Sequence, residues 1–486
     1  MHRTSKKGEY EVKARLSSHV SAVILLLVTL SSAVAADGST TWKAGVARSI
    51  ITPTTDVWLA GYGSKRVPDG KLHELWMKAL ALEDHNGRRA VLVTSDFQGV
   101  PKSMSDRVFA NVLKQFGLER HQVIITFSHN HCGPRLGDDL TDYYPYELEQ
   151  VRTVAEYTDT MVAGMTALIG QALEDLSPSV LVQSEGTCTF AVNRRNNREA
   201  DVPAILARGE PLVGPVDHSV PVLQVNGVDG SRKAILFGYA CHPTTLSFTK
   251  WCGDYPGFAQ LAVEEALPGA TAMFVNTCGG DQNPLPRREV SLCEDYGHRL
   301  ATAVLDAVNT DAPEINCELH TAFEYTDLPY LNVVSQEELV QETSSGHPIR
   351  KRWAERMLKK LAYGEPFESA YPYPVHVWKL GQSASADSSQ PSGADLLLIG
   401  LGAETVVDYA LRFKLKYGHG TWVCGYADDM IAYIPSHRVW LEGGYEGGSN
   451  LFEYGRPAFR WADDIEDRIV TTVERLTTGQ PAESGQ

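Results

Sequence analysis

Short aliphatic and β-branched runs that stop abruptly at polar residues recur along the chain. Residues 90–94 run up to Asp96, residues 123–127 to His129, and residues 234–239 to His242. Residues 272–275 lead to Asn276 and Asp281, while residues 396–399 lead through Gly400 and Gly402 to Glu404. Brief apolar runs bounded by turn formers predict buried strands. Between them, residues 104–116, 157–173 and 405–415 space their apolar side chains at helical intervals. Strands alternating with helices predict an α/β fold of mixed β-sheets flanked by helices, and such folds gather functional groups, here a metal site, at strand carboxyl ends. Segment 335–393 departs from this pattern. It is charged, with helical spacing over 352–361 and a Ser/Ala/Asp/Gln-rich stretch at 381–393, and is expected to be a surface insertion with an exposed loop.

The 486 residues are 43% hydrophobic and 21% charged, the balance of a globular chain able to bury a large core. A net charge of -16 argues against nucleic acid as a partner, although Arg194, Arg195 and Arg198 form a local basic cluster. The N-terminus changes the picture more. Arg3, Lys6, Lys7, Lys13 and Arg15 precede an apolar run, 20–30, and small residues from Ser31 to Ala36. That order is a signal-peptide layout, and the run is shorter than the roughly 20 residues a membrane span needs. Residues 1–36 are therefore expected to be a signal peptide of an exported protein, 42–478 a catalytic domain and 479–486 a disordered tail. An uncleaved anchor is the other reading of the same residues. No second run of spanning length follows, so only peripheral membrane contact is expected after cleavage. Eight cysteines in an exported chain are read as buried apolar groups or disulfides, with no pairing assigned, because none has an obvious activating partner. Cys132, Cys241 and Cys278 sit inside polar motifs and are expected near one another.

The motifs at the run ends carry the chemistry. In SHNHCGP, residues 128–134, His129 and His131 stand two apart after a predicted strand, so both imidazoles can face one side. Metal binding and a hydrogen-bonded pair both satisfy that spacing. His242 follows another run and is locked by Pro243; taken alone it reads equally as a hydrogen-bonded core histidine. Glu404 is expected to open a helix, where its carboxylate either complements the helix dipole or offers a metal an oxygen. Histidines and one carboxylate at strand ends make up the ligand set of a catalytic zinc site, which keeps a position open for water. The turn NTCGGDQNP, residues 276–284, suits a close backbone approach to a substrate or a neighbouring loop.

Taken in order, these motifs resemble the neutral ceramidase family, zinc amidases that cleave the N-acyl bond of ceramide. Residues 45–52 (GVARSIIT) and 60–63 (AGYG) resemble the family's opening, and SHNHCGP resembles its first metal motif. ACHPTT at 240–245, with Gly253 and Asp254, resembles the second; GAE at 402–404, Tyr433 and YEG at 445–447 resemble the later ones. The resemblance implies Zn²⁺ held by His129, His242, Glu404 and Tyr433. It also implies His131 as the catalytic histidine, Arg194 as a substrate-binding arginine and Tyr445 as a substrate-contacting tyrosine. The family's GDVSP reads GDQNP at 280–284, placing Asn283 where the family has an active-site serine. The chain also stops soon after YEG, without the family's immunoglobulin-like C-terminal domain, so presentation of a lipid at a membrane is expected to differ. The implied activity is hydrolysis of an N-acyl bond, of ceramide or a related lipid, by metal-activated water. The alternatives are a zinc amidase or esterase for a smaller acyl compound, and an exported zinc-binding protein without turnover.

Overall fold

The unbroken apolar runs form strands buried on both faces, as their patterning requires. The computed structural model describes residues 41–381, 395–418 and 420–479. The expected signal peptide, most of the Ser-rich stretch (382–393) and tail residues 480–486 lie outside the described residues. The main sheet has eight strands in the order Thr271–Asn276, Arg232–Tyr239, Ser219–Gly227, Ser177–Thr187, Trp42–Ile50, Trp76–Glu83, Arg89–Ser95 and Val123–Ile125. Its outermost pair at each edge is parallel. Parallel neighbours need a crossover, which helices Asp254–Ala266 and Lys102–Phe116 supply.

A second sheet runs Leu319–Pro329, Ala370–Leu380, Leu396–Leu401 and Thr421–Cys424. Alternation along the strands decides how the layers stack. On Trp76–Glu83, Met77, Ala79 and Ala81 enter a core shared with helix residues Met161, Met165 and Leu300, whereas Leu80 and Leu82 join Trp378, Leu398 and Trp422 of the second sheet. The second sheet's other face, through Val377, Leu397 and Ile399, packs on Phe413 of helix Val407–Tyr417 and Ile469 of helix Ile465–Thr478. The result is helices, sheet, sheet, helices, each interface built from alternate residues. The α/β expectation of mixed sheets flanked by helices matches this architecture. Within 335–393, helices Gln336–Glu342 and Pro348–Ala362 pack around Trp353 and Phe452, and Ala370–Leu380 is paired along both edges. No described helix is long and apolar enough to cross a membrane.

The main sheet is rolled until its edges approach. Asn276 Nδ2, at one edge, donates to the Ser128 carbonyl beyond the other at 3.0 Å. Single bridges Thr126–Ala427 and Thr277–Cys424 link both ends to the end of strand Thr421–Cys424 and the loop that follows it. A half-buried ion pair pins that loop: Arg120 donates to the buried Asp428 at 2.7 Å, and His376 Nε2 lies 2.6 Å from the same carboxylate. The other Asp428 oxygen accepts the Ile125 N–H at 2.9 Å. Burial alone would raise the Asp428 pKa, but Arg120 and His376 hold it below the usual carboxylate range.

Removing Asp428 strands the charge of the partly buried Arg120 and leaves buried His376 without its partner. Asp428→Ala is therefore expected to cost about 3–5 kcal/mol, read from denaturant unfolding. The folded pKa lies below the unfolded value of about 3.9, so the Asp428 contribution is complete above that pH and lost as pH falls toward the folded value. Wild-type stability should decline below about pH 4 more steeply than that of the variant.

Candidate metal centre

The roll of the sheet brings together two loops that leave distant strands. The first follows Val123–Ile125 and carries His129, whose backbone is left-handed at φ 63. A non-glycine residue holds that conformation only where its surroundings impose it. Here the Phe97 carbonyl accepts the His129 N–H at 3.0 Å, and the Gln98 carbonyl accepts from Nδ1 at 2.7 Å. The second loop follows Arg232–Tyr239 and carries His242, whose Nδ1 donates to the Gly279 carbonyl at 2.7 Å. With both Nδ1 atoms spent as donors, each Nε2 presents a bare lone pair.

Both lone pairs meet Glu404. Its Oε2 lies 3.2 Å from His129 Nε2 and 2.9 Å from His242 Nε2. The Tyr433 hydroxyl is 3.1 Å from His242 Nε2. Glu404 does not open a helix, as the sequence suggests. It pairs in parallel with Tyr433 as the two-residue strand Glu404–Thr405, and the helix starts only at Val407. The reason is long-range: the Glu404 N–H is taken by the Ala432 carbonyl at 3.1 Å, and the Gly280 N–H by the Thr405 carbonyl at 2.9 Å. The turn at 276–284 presses so closely here that a Cβ on Gly280 would stand 2.8 Å from the Glu404 and Thr405 carbonyl oxygens.

All four of these groups are buried. Two acceptor nitrogens converging on a carboxylate oxygen repel one another unless a cation stands between them, so the donor set fits a metal ion. His129, His242 and Glu404 offer atoms all within 4.8 Å of one another. Nitrogen and oxygen ligands at these separations suit Zn²⁺, for which tetrahedral ligand edges are about 3.3 Å. Burial, with Arg194 nearby, takes the His242 imidazole down to about 4.

Around this core stand the other sequence-derived residues. His131 Nε2 lies 3.0 Å from His129 Nε2, and burial together with His129 and His242 pushes its pKa well below the ordinary imidazole value. Its Nδ1 has no hydrogen-bond partner. Arg194 is placed by a short antiparallel pair, Ala191–Asn193 with Gln282–Pro284. Its guanidinium donates to Tyr433 Oη at 3.0 Å, to Asn283 Oδ1 at 3.3 Å and to Glu446 at 2.7 Å. Tyr445, 41% exposed, lies at the rim, with its ring 5.2 Å from Tyr433 and its hydroxyl on Glu453 at 2.7 Å. Seven of the eight named residues thus form one cluster and Tyr445 borders it.

The sequence reading missed Tyr454, which donates to Glu404 Oε1 at 2.5 Å, and Glu446, which braces Arg194. Glu446 lay within the quoted YEG motif; Tyr454 had no local signal. Gln98 and Gly279 act through backbone carbonyls, which side-chain motifs do not reveal. Of the three cysteines expected together, Cys241 and the segment of Cys278 do approach closely, since a Cβ on the adjoining Gly279 would stand 2.7 Å from the Cys241 nitrogen, while the Cys278 thiol accepts from the Thr405 hydroxyl at 3.4 Å.

Fold and site define a mixed α/β protein with a buried cluster of two histidines and one carboxylate that could hold a metal ion. The family described as "Neutral/alkaline non-lysosomal ceramidase, N-terminal" matches residues 42–284, half of the chain, and the chain belongs to that family. The match contains His129, His131, Arg194, His242 and Asn283; Glu404, Tyr433 and Tyr445 lie beyond it. Among solved structures the chain is similar to neutral ceramidase from Pseudomonas aeruginosa, with a TM-score of 0.66 at 18% identity, covering 92% of this chain and 76% of that one. A ceramidase complexed with C2 is similar at a TM-score of 0.66 and 17% identity, covering 92% and 77%. No curated protein sequence matches.

Tyr454→Phe removes the hydroxyl that orients Glu404. It should weaken the affinity of the cluster for a divalent metal ion about 10-fold, the usual scale for a partner that orients a ligand, in a chelator-competition titration.

Proposed function

We propose that this protein is a zinc-dependent amidohydrolase that cleaves the N-acyl bond of ceramide or a related lipid. The observation that carries the proposal is the convergence of the His129 and His242 lone pairs on Glu404, with His131 alongside. Family membership supports the reaction class. His129, His242, Glu404 and Tyr433 are the residues proposed to hold the ion. When bound, Zn²⁺ supplies Lewis acidity, polarising an acyl carbonyl and acidifying water.

The chain's own groups do the rest. Hydrolysis joins the oxygen of water to the acyl carbon and breaks the C–N bond, and the leaving amine needs one proton. His131, neutral because burial and its neighbours lower its pKa, accepts a proton from the attacking water and returns it to nitrogen. Arg194 fixes the Tyr433 hydroxyl and the Asn283 side chain in one plane of hydrogen bonds, and Tyr445 lines the approach. Since Asn283 Oδ1 accepts from Arg194, its NH₂ group remains to donate where the family's serine would place a hydroxyl. That replacement favours a second reading, in which the same reaction acts on a smaller acyl substrate. Export follows from the N-terminal layout and is part of the proposal, as is peripheral contact with a lipid surface.

Three variants separate the parts. His129→Ala should lose both bound zinc, by elemental analysis, and release of fatty acid from ceramide; a zinc-replete, active variant would overturn the metal assignment. His131→Gln should keep the zinc and lose about 10²–10⁴-fold in turnover. Asn283→Ser should retain turnover and shift the preference between ceramide and short N-acyl substrates by about tenfold, the worth of one hydrogen bond. With the wild-type protein, chelation should abolish release and zinc should restore it.

A further inference from the structure

All eight cysteines are free, buried thiols. The sequence offers none an activating partner, but the fold gives one to Cys252. Its Sγ lies 3.4 Å from His73 Nε2, and the Cys293 thiol is close enough to influence it electrostatically. His73 Nδ1 is tied to the Glu74 carbonyl at 3.1 Å, so Nε2 is the nitrogen turned to sulfur. The ring has little room to swing away. A Cβ on Gly257 would stand 2.3 Å from its Cε1, and Phe258 packs edge-on at 5.0 Å.

Cys252 precedes helix Asp254–Ala266 and Cys293 lies in the first turn of Val290–Val308. Phe190 clamps the two helices side by side, stacking on Tyr296 at 4.6 Å and meeting Tyr255 at 5.0 Å. The pairing of thiols is therefore built by helix packing, from residues 41 positions apart. The group is not a second metal centre: among the described residues only His129, His242 and Glu404 come close enough together.

We propose that Cys252 and Cys293 are an oxidisable dithiol, closed to an intramolecular disulfide by a small peroxide, with His73 holding Cys252 reactive. The Cys252 thiolate attacks one peroxide oxygen and the O–O bond breaks. The departing hydroxide takes the His73 Nε2 proton and leaves as water, giving a sulfenic acid on Cys252. The Cys293 sulfur then attacks Cys252 sulfur; the S–O bond breaks, and hydroxide leaves with the Cys293 proton as a second water. Two thiols lose two electrons, and hydrogen peroxide is reduced to two waters.

The electrostatics suit these roles. Burial would lower the His73 imidazole, yet its hydrogen bond to Cys252 carries it to about 9; burial would raise Cys252, yet Cys293 and His73 bring it to about 7. Cys293 is pushed up by burial and by Cys252, so it waits as the protonated, resolving thiol. Asp254, Cys132, Asp96 and Glu74 are among the titratable groups that face them. His73 is partly exposed, whereas Cys252 itself is buried, so the oxidant the site can take is one as small as hydrogen peroxide.

The test is to reduce the full chain, treat it with equimolar hydrogen peroxide, block remaining thiols by alkylation and map the digest without reductant. The expected product is a Cys252–Cys293 cross-linked peptide. In Cys293→Ser, oxidation should stop at a Cys252 sulfenic acid captured by a dimedone-type reagent. His73→Gln should slow oxidation about tenfold at neutral pH, as the thiol returns toward its ordinary pKa of about 8.5. Cys252 left reduced in the wild type, or bridged to Cys132 instead, would overturn the proposal, as would an unchanged rate in His73→Gln.

Discussion

The structure turns on a single constraint: two imidazoles must show unprotonated nitrogens to a buried carboxylate. Left alone, either ring would place a proton between itself and Glu404 and end as an ordinary hydrogen-bonded pair. Backbone carbonyls prevent this. Gln98 and Gly279 each claim an Nδ1 proton at 2.7 Å, and the tautomer is settled before any ion arrives. Those carbonyls are in turn fixed by the strands and loops around them, so a demand at three atoms propagates into the fold.

The same logic extends outward through Arg194. One guanidinium holds a proposed ligand, Tyr433, and the residue that stands at the serine position, Asn283, while Glu446 balances its charge. Asn283 is thus mechanically joined to the candidate metal ligands. Burial makes each of these bonds worth more than it would be in water, and makes an unpaired member costly.

Much of this was legible in the sequence because it is local. The runs at 90–94, 234–239 and 272–275 are strands, as their apolar patterning requires, and His129, His131 and His242 follow strand ends as their position implied. What failed to show was whatever depends on partners far along the chain. The helix expected from 405 begins at Val407, because Glu404 is drawn into pairing with Tyr433. Tyr454 and the pairing of Cys252 with His73 are invisible for the same reason, since neither tyrosine nor cysteine announces its neighbour. The order of the eight strands, which alone explains how loops from near opposite edges meet, is also absent from periodicity.

The rolling of that sheet has a kinetic meaning. His242 and Glu404 stand 162 positions apart, and they become neighbours only when both sheets are formed and the edges have met. Partly folded chains, lacking that closure, have no tight binding site to offer. An ion bound only by the finished protein adds its binding free energy to the native state alone and deepens that basin without favouring its precursors. Contacts of such long range are formed late and slowly. The centre would therefore serve as a checkpoint on assembly, trapping only those molecules whose topology is complete.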